Sequence, residues 1–307
     1  MKNVIITGPT GAIGVALIEY LISNKINVTA ICREGSDRIK NIPESSCVKI
    51  IECNLDKLST LEKSLSKDYD VFFHMGWEST FGDNRNNVCI QTRNIQYTLD
   101  AVELASKLGC RKFIGAGSQA EYGRSKEALS ATTPTNPENA YGVAKLCAGQ
   151  LSRIRCQQLG VEHIWVRILS VYGPCDGENT MISHLIKKLL KQERPSCTNG
   201  EQIWDYIYSK DAAKALALLA DKGVNGKVYC LGSGKAIPLK NYMLAIRDRI
   251  NSELEIGLGE VPYGSQQVMY LCADISELTK DTGFIPSITF EEGIKETIEW
   301  MKVKGRI

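Results

Sequence analysis

The 307-residue sequence predicts an α/β fold: a doubly wound parallel sheet with helices on both faces, and a smaller α/β lobe interleaved towards the C-terminus. Two observations carry this. Through the first two-thirds, short apolar runs alternate with amphipathic helical stretches, as strands joined by crossover helices do. The first of these runs, "KNVIITG", leads directly into "PTGAIG", a glycine-rich turn that opens a helix.

Taken in order, "KNVIITG" is the first strand and "GAIGVALIEYLISN" the first helix. "INVTAIC" and "CVKIIEC" are the second and third strands, and "YDVFFHMG" the fourth. "NIQYTLDAVELASKLG" is a helix closed by Gly109, followed by "KFIGAG" as the fifth strand. "NPENAYGVAKLCAGQLSRIRCQQLG" reads as a long helix with Asn136 as cap, Pro137 in the first turn and Gly160 after its end. "EHIWVRIL" is the sixth strand. Beyond residue 170 the alternation loosens into "MISHLIKKLLKQ", "WDYIYSKDAAKALALLADKG", "KVYCLGSG" and a closing amphipathic helix in "SITFEEGIKETIEWMK". The expected division is residues 1–170 with 204–232 in the sheet domain, and 171–203 with 233–307 in the second lobe.

Composition narrows the class. The chain is 43% hydrophobic and 23% charged with a net charge of +2, too mild for a nucleic-acid or membrane-surface protein. It has no run of eighteen apolar residues, and "MKNVIITG" enters a strand without a signal-peptide core, so a cytoplasmic protein is expected. Eleven cysteines, an odd number without C-x-x-C pairing, read as free thiols in a reducing compartment, and no metal site is expected.

Three motifs carry chemistry. "ITGPTGAIG" sets Gly8, Gly11 and Gly14 between the first strand and first helix, the places for a sharp turn, a close approach to a pyrophosphate and helix–strand packing. The free N–H groups of the helix start then face the phosphates, which makes this a dinucleotide site. The spacing is G-x-x-G-x-x-G, one residue longer in its first gap than the commonest form. Thr10, Ala12 and Ile13 in the same turn, Asn54 and Leu55 after the third strand, and Met75, Gly76 and Trp77 after the fourth complete the expected cofactor-binding set.

The second strand ends "ICREGSDR", with Cys32 where an acid would accept from an adenosine ribose. Arg33, Ser36 and Arg38 instead suit a 2′-phosphate, which favours NADP over NAD. The plainer alternative makes Arg33 a solvated loop charge. Finally, "YGVAK" sets Tyr141 and Lys145 four apart on one face of the long helix. A nearby ammonium lowers the pKa of a phenol and makes proton exchange with a sugar hydroxyl or carbonyl practical.

With "VRILSVYGP", "DYIYSKDAAKA" and the closing "ADISELTKDTGF", these motifs make the chain resemble, nearly end to end, the extended short-chain dehydrogenase/reductases, the nucleotide-sugar epimerase/dehydratase group. The resemblance implies a Rossmann domain and a homodimer. It also implies Ser118 as the residue that hydrogen-bonds the substrate oxygen, Tyr141 as acid/base, and Lys145 as the holder of the nicotinamide ribose. Asn94 matches a family asparagine of largely structural role. His74, on an apolar strand, reads as a satisfied core histidine rather than a catalyst. Trp77, Gln119, Ser170, Lys187 and Trp204 are the expected substrate-facing residues.

The departures are informative. Family dehydratases follow the serine or threonine with Asp and Glu, whereas "GSQAEYG" has Gln119 and Ala120, which cannot transfer protons at neutrality. Simple 4,6-dehydration is therefore excluded, and Glu121, one residue on, is expected to point elsewhere. Trp204 stands where the family has a diphosphate-binding arginine, and Ser170 where it has asparagine. The expected activity is hydride transfer at a sugar carbon, C4, of a nucleotide-activated sugar. An NADPH-dependent 4-keto-sugar reductase is favoured, with a 4-epimerase retaining NAD and a silent dinucleotide sensor as alternatives.

Overall fold

The computed structural model describes residues 1–303. Seven strands form one all-parallel sheet: β1 (Asn3–Thr7), β2 (Asn27–Cys32), β3 (Val48–Glu52), β4 (Val71–His74), β5 (Lys112–Ser118), β6 (Glu162–Ile168) and, after a long excursion, β10 (Val228–Leu231). Their order across the sheet is β10-β6-β5-β4-β1-β2-β3. Chain order therefore reverses at β1, between β2 and β4, and ligands of such sheets bind outside the strand carboxyl ends at that reversal.

Both faces of the sheet are covered at its inner strands, which are apolar at nearly every position, whereas edge strand β3 has no buried residue. Val4 and Ile6 point to one face and pack with Leu17 and Ile18 of α1 (Ala12–Ser23). Ile5 points to the other and packs with Phe72, Phe113 and, from α2 (Val88–Lys107), Val102 and Ala105. All nine side chains are essentially solvent-free, and each buried Leu, Ile, Val or Phe contributes about 1.5–3 kcal/mol over its exposed state.

The third helix, α3 (Ala140–Leu159), starts three residues later than a cap at Asn136 implies. Its cap is Asn139, whose side chain accepts from the Gly142 N–H at 2.9 Å, not Asn136. Asn136 is held in the preceding loop by donating its N–H to the Tyr122 carbonyl, a long-range tie invisible to helix periodicity. α2 in turn begins at Val88, capped by Asn87, six residues before Asn94.

The rest of the chain is β7 (Ser170–Tyr172), α4 (Met181–Leu190), β8 (Ile203–Trp204), β9 (Tyr206–Tyr208), α5 (Ser209–Lys222), then β10, β11 (Ile237–Pro238), α6 (Leu239–Ile250), β12 (Tyr270–Leu271), α7 (Ser276–Thr282) and α8 (Phe290–Val303). β10 pairs in parallel with β6, and Leu216 and Leu219 of α5 share the core of α1. A separate core joins Leu185 and Ile186 of α4, Tyr242 and Ile246 of α6, and Ile294 and Ile298 of α8. Among the described residues the cysteines are free thiols, and no helix is long and apolar enough to cross a membrane.

Candidate active site

The strand ends bring the predicted residues to one rim. Gly8 follows β1 with a φ of +68°, and a Cβ there would lie 2.7 Å from the backbone of Met75 and Gly76 after β4. Only glycine permits that turn. A Cβ on Gly14 would strike the Gly8 carbonyl, so α1 starts pressed against the strand end. Gly11, the N-cap of α1, differs: it supplies no side-chain cap, and a Cβ on it would meet nothing within 4 Å. Open space before unoccupied helix N–H groups fits a dinucleotide pyrophosphate. Thr10, Ala12 and Ile13 line the same half-buried turn, and the Thr10 carbonyl accepts from Asn41 at 3.3 Å.

At the end of β2, Arg33 is exposed, and no hydrogen bond or ion pair among the described residues engages its guanidinium. Two carboxylates lie close by. Glu34 is held by Asn54 at 3.0 Å and Lys57 at 3.2 Å, and Glu52 accepts from the Gly35 N–H at 2.8 Å. Ser36 spends its hydroxyl on the Arg38 N–H. Arg38 does not join Arg33: its guanidinium donates to the carbonyl of Cys175, beyond β7. The short-range pattern R-x-x-S-x-R could not reveal a contact 137 residues away. Asn54 thus serves the loop around Glu34, and Leu55 packs under Gly76.

Ser118 ends β5, and its hydroxyl accepts from the Ala120 N–H at 3.2 Å. That leaves the O–H itself to donate. Tyr141, 9% exposed, lies on the first turn of α3 with the Ser118 side chain beside it. Burial raises its pKa above the usual phenol value; the Ser118 side chain and the Arg85 cation oppose the rise, and Glu121 adds to it. Arg85 is the neighbouring cation, 4.7 Å from the Tyr141 ring centroid, and its buried Nε lacks a hydrogen-bond partner. Lys145 Nζ lies 5.8 Å from the Tyr141 ring centroid.

Lys145 is 4% exposed, donates to the Ala116 carbonyl at 2.7 Å and sits 3.7 Å from the Trp77 ring centroid. Burial drops its pKa from 10.5 to about 7, against the pull of Glu121. Trp77 meets Tyr141 edge-on at 6.0 Å, and its indole N–H donates to Gln91 at 2.9 Å. Asn94 pins the next residue by accepting from the Glu78 N–H and donating to its carbonyl. His74 is the core histidine expected, paired with Thr7 at 2.9 Å and pushed down to a pKa of about 3 by burial.

Gln119 and Ala120 form a 3₁₀ turn with Glu121. Glu121 points away from the rim into the protein: it is fully buried, accepts from the Ser118 N–H at 2.8 Å and Trp165 at 3.0 Å, and pairs with Arg167 at 2.7 Å. Of the remaining substrate candidates, Trp204 donates to Ser170 at 2.8 Å, so these two are brought together. Lys187 faces Glu178 across 3.9 Å. Sequence reasoning missed Arg85, for which a polar loop carries no signal, and Arg167. An arginine inside the apolar run "HIWVRIL" was a legible sign, since a buried guanidinium demands a partner.

Comparison with known proteins agrees with this geometry. Over 310 residues the chain is 27% identical to a putative UDP-glucose 4-epimerase of Methanocaldococcus jannaschii, covering 99% of each. It is 25% identical over 322 residues to the dTDP-4-dehydro-6-deoxyglucose reductase of Escherichia coli, covering 99% of this chain and 98% of that one. The structure of UDP-N-acetylglucosamine 4-epimerase from Methanobrevibacter ruminantium M1, in complex with UDP-N-acetylmuramic acid, superposes with a TM-score of 0.90 at 27% identity and 99% coverage of both chains. The model of the NAD dependent epimerase/dehydratase family matches residues 4–232. The chain is therefore an enzyme of the extended short-chain dehydrogenase/reductase fold and belongs to the NAD dependent epimerase/dehydratase family.

Proposed function

We propose that this enzyme reduces the 4-keto group of a nucleotide-activated sugar, with NADPH as the preferred donor. The observation that carries this reading is the convergence of buried Tyr141, the Ser118 side chain beside it and buried Lys145 at the strand ends. A phenol is protonated at neutrality and can donate that proton to an oxygen gaining negative charge. Arg33, exposed and without a partner at the end of β2, supports the preference for a 2′-phosphate.

When bound, the nicotinamide dinucleotide supplies the hydride. Ser118 donates its O–H to the C4 oxygen, and Tyr141 gives that oxygen its proton. Lys145, held beneath Trp77, binds the nicotinamide ribose, while Gly11 and the start of α1 take the pyrophosphate. Trp77 and Gln119 line the sugar side, and Ser170 and Trp204, with Lys187 of the second lobe, face the nucleotide. Gln119 and Ala120 carry no transferable proton and Glu121 is committed inside the protein, so dehydration of the parent sugar has no acid–base pair.

A 4-epimerase retaining NAD is the second reading, favoured by relatives that carry that name along their whole length. One experiment separates them. With a 4-keto-6-deoxy sugar nucleotide and NADPH deuterated at C4, a reductase consumes NADPH stoichiometrically and leaves deuterium at sugar C4. Tightly copurifying NAD, with interconversion of 4-epimers and no net redox change, would replace the reductase by the epimerase. A 4-keto-6-deoxy product formed from a parent sugar nucleotide would overturn the exclusion of dehydration.

A further inference from the structure

The buried charge beneath the serine turn is unusual for a site whose chemistry it does not touch. Glu121 uses both carboxylate oxygens inside the protein: Oε1 accepts from the Ser118 N–H at 2.8 Å and the Trp165 indole N–H at 3.0 Å, and Oε2 from Arg167 Nε at 2.7 Å. Arg167, 4% exposed, lies on β6 directly opposite Gly117 and 4.5 Å from the Tyr122 ring centroid. A pair of this kind is a poor device for stability alone, because desolvating two charges offsets most of their attraction. What it does supply is geometry.

Three features make that geometry rigid. A Cβ at Gly117 would lie 2.5 Å from Glu121 Oε1 and 2.4 Å from the Trp165 nitrogen, so glycine is what admits the carboxylate under the strand. The Trp165 ring is itself slotted between Gly115 and Gly149, where added methyl groups would lie within 2.3 Å and 2.7 Å of it. The reciprocal bonds of Ser118 and Glu121 form a capping box around the turn. The backbone that carries the Ser118 hydroxyl is thus clamped by a carboxylate anchored on the neighbouring strand.

We propose that Glu121, anchored by Arg167, is the positioning residue that holds Ser118 against Tyr141 and towards the C4 oxygen. The kinetic part of this role rests on the hydride transfer proposed above; the clamp itself does not. It moves no proton: it fixes the oxygen that meets substrate.

The test compares Glu121→Gln, which removes the charge, with Glu121→Asp, which keeps the charge but shortens the reach to Ser118, and with Ser118→Ala. Hydrogen–deuterium exchange over residues 114–122 should rise in both Glu121 variants while α1 and the β1 turn stay protected. Unchanged protection there overturns the proposal whether or not any turnover is detected. In the hydride assay, each Glu121 variant should lose about 10²-fold in kcat, as a misplaced catalytic group does, with the NADPH Kd within about twofold of the parent. Added to Ser118→Ala, either substitution should cost nothing further, because Glu121 acts through the serine. Losses that multiply, or a Kd that weakens in step with kcat, would make Glu121 a merely structural residue. Absence of turnover in the parent enzyme would instead refute the reductase reading, and the exchange result would still decide the clamp.

Discussion

Lys145 should make folding stability depend on pH in a way that one substitution removes. Its ammonium is 4% exposed and titrates at about 7 in the folded protein, against 10.5 for an ordinary lysine. The cause is burial, opposed by Glu121. Between these two values the unfolded chain holds a proton that the folded chain does not, so stability rises with pH across the window from about 7 to 10.5. Well inside that window the slope is about 1.4 kcal/mol per pH unit, which integrates to about 2 kcal/mol between pH 7.5 and pH 9.0. This is an upper limit, because the Ala116 carbonyl and the Trp77 face both favour the ammonium. Lys145→Met removes the titration and leaves the other groups to cancel. Urea unfolding of nucleotide-free wild type and variant at pH 7.5, 8.2 and 9.0 should show the wild type gaining on the variant by up to that amount. A gap that stays constant with pH would mean that Lys145 remains an ordinary charged lysine and that the burial reasoning is wrong.

Tyr141→Phe should keep the fold and the NADPH affinity while lowering kcat by about 10²–10⁴-fold, since only a transferable proton is lost; near-normal turnover in a stopped-flow assay would move the acid elsewhere. Arg33→Asp should weaken NADPH binding and spare NADH, as fluorescence titration would read; an unchanged ratio would return Arg33 to a solvated loop charge and strengthen the NAD reading. Val143, Leu151 and Ile154 leave 52%, 39% and 44% of their surface exposed on α3, so we expect a homodimer formed across α2 and α3. Light scattering should give twice the chain mass at micromolar concentration, and Ile154→Asp should shift it to monomer. A wild-type monomer would remove the dimer.

Sequence alone determined what local periodicity and turn chemistry encode. The alternation of apolar runs with amphipathic stretches specifies a parallel sheet covered on both faces, because each run is too apolar to leave a face in water. The spacing of Gly8, Gly11 and Gly14 specifies a turn that only glycine can make, and a four-residue interval puts Tyr141 and Lys145 on one helix face. The tertiary structure decided everything that depends on which distant groups meet. Arg38 is drawn to Cys175 instead of joining Arg33, and Arg85 comes from another loop to within 4.7 Å of the Tyr141 ring centroid. Glu121 finds Arg167 across 46 residues and turns inward, away from the substrate side. The reason is physical. A helix or strand registers its own repeat within a few residues, whereas a buried charge is placed by whichever partner the completed fold brings within about 3 Å, and desolvation makes that partner obligatory.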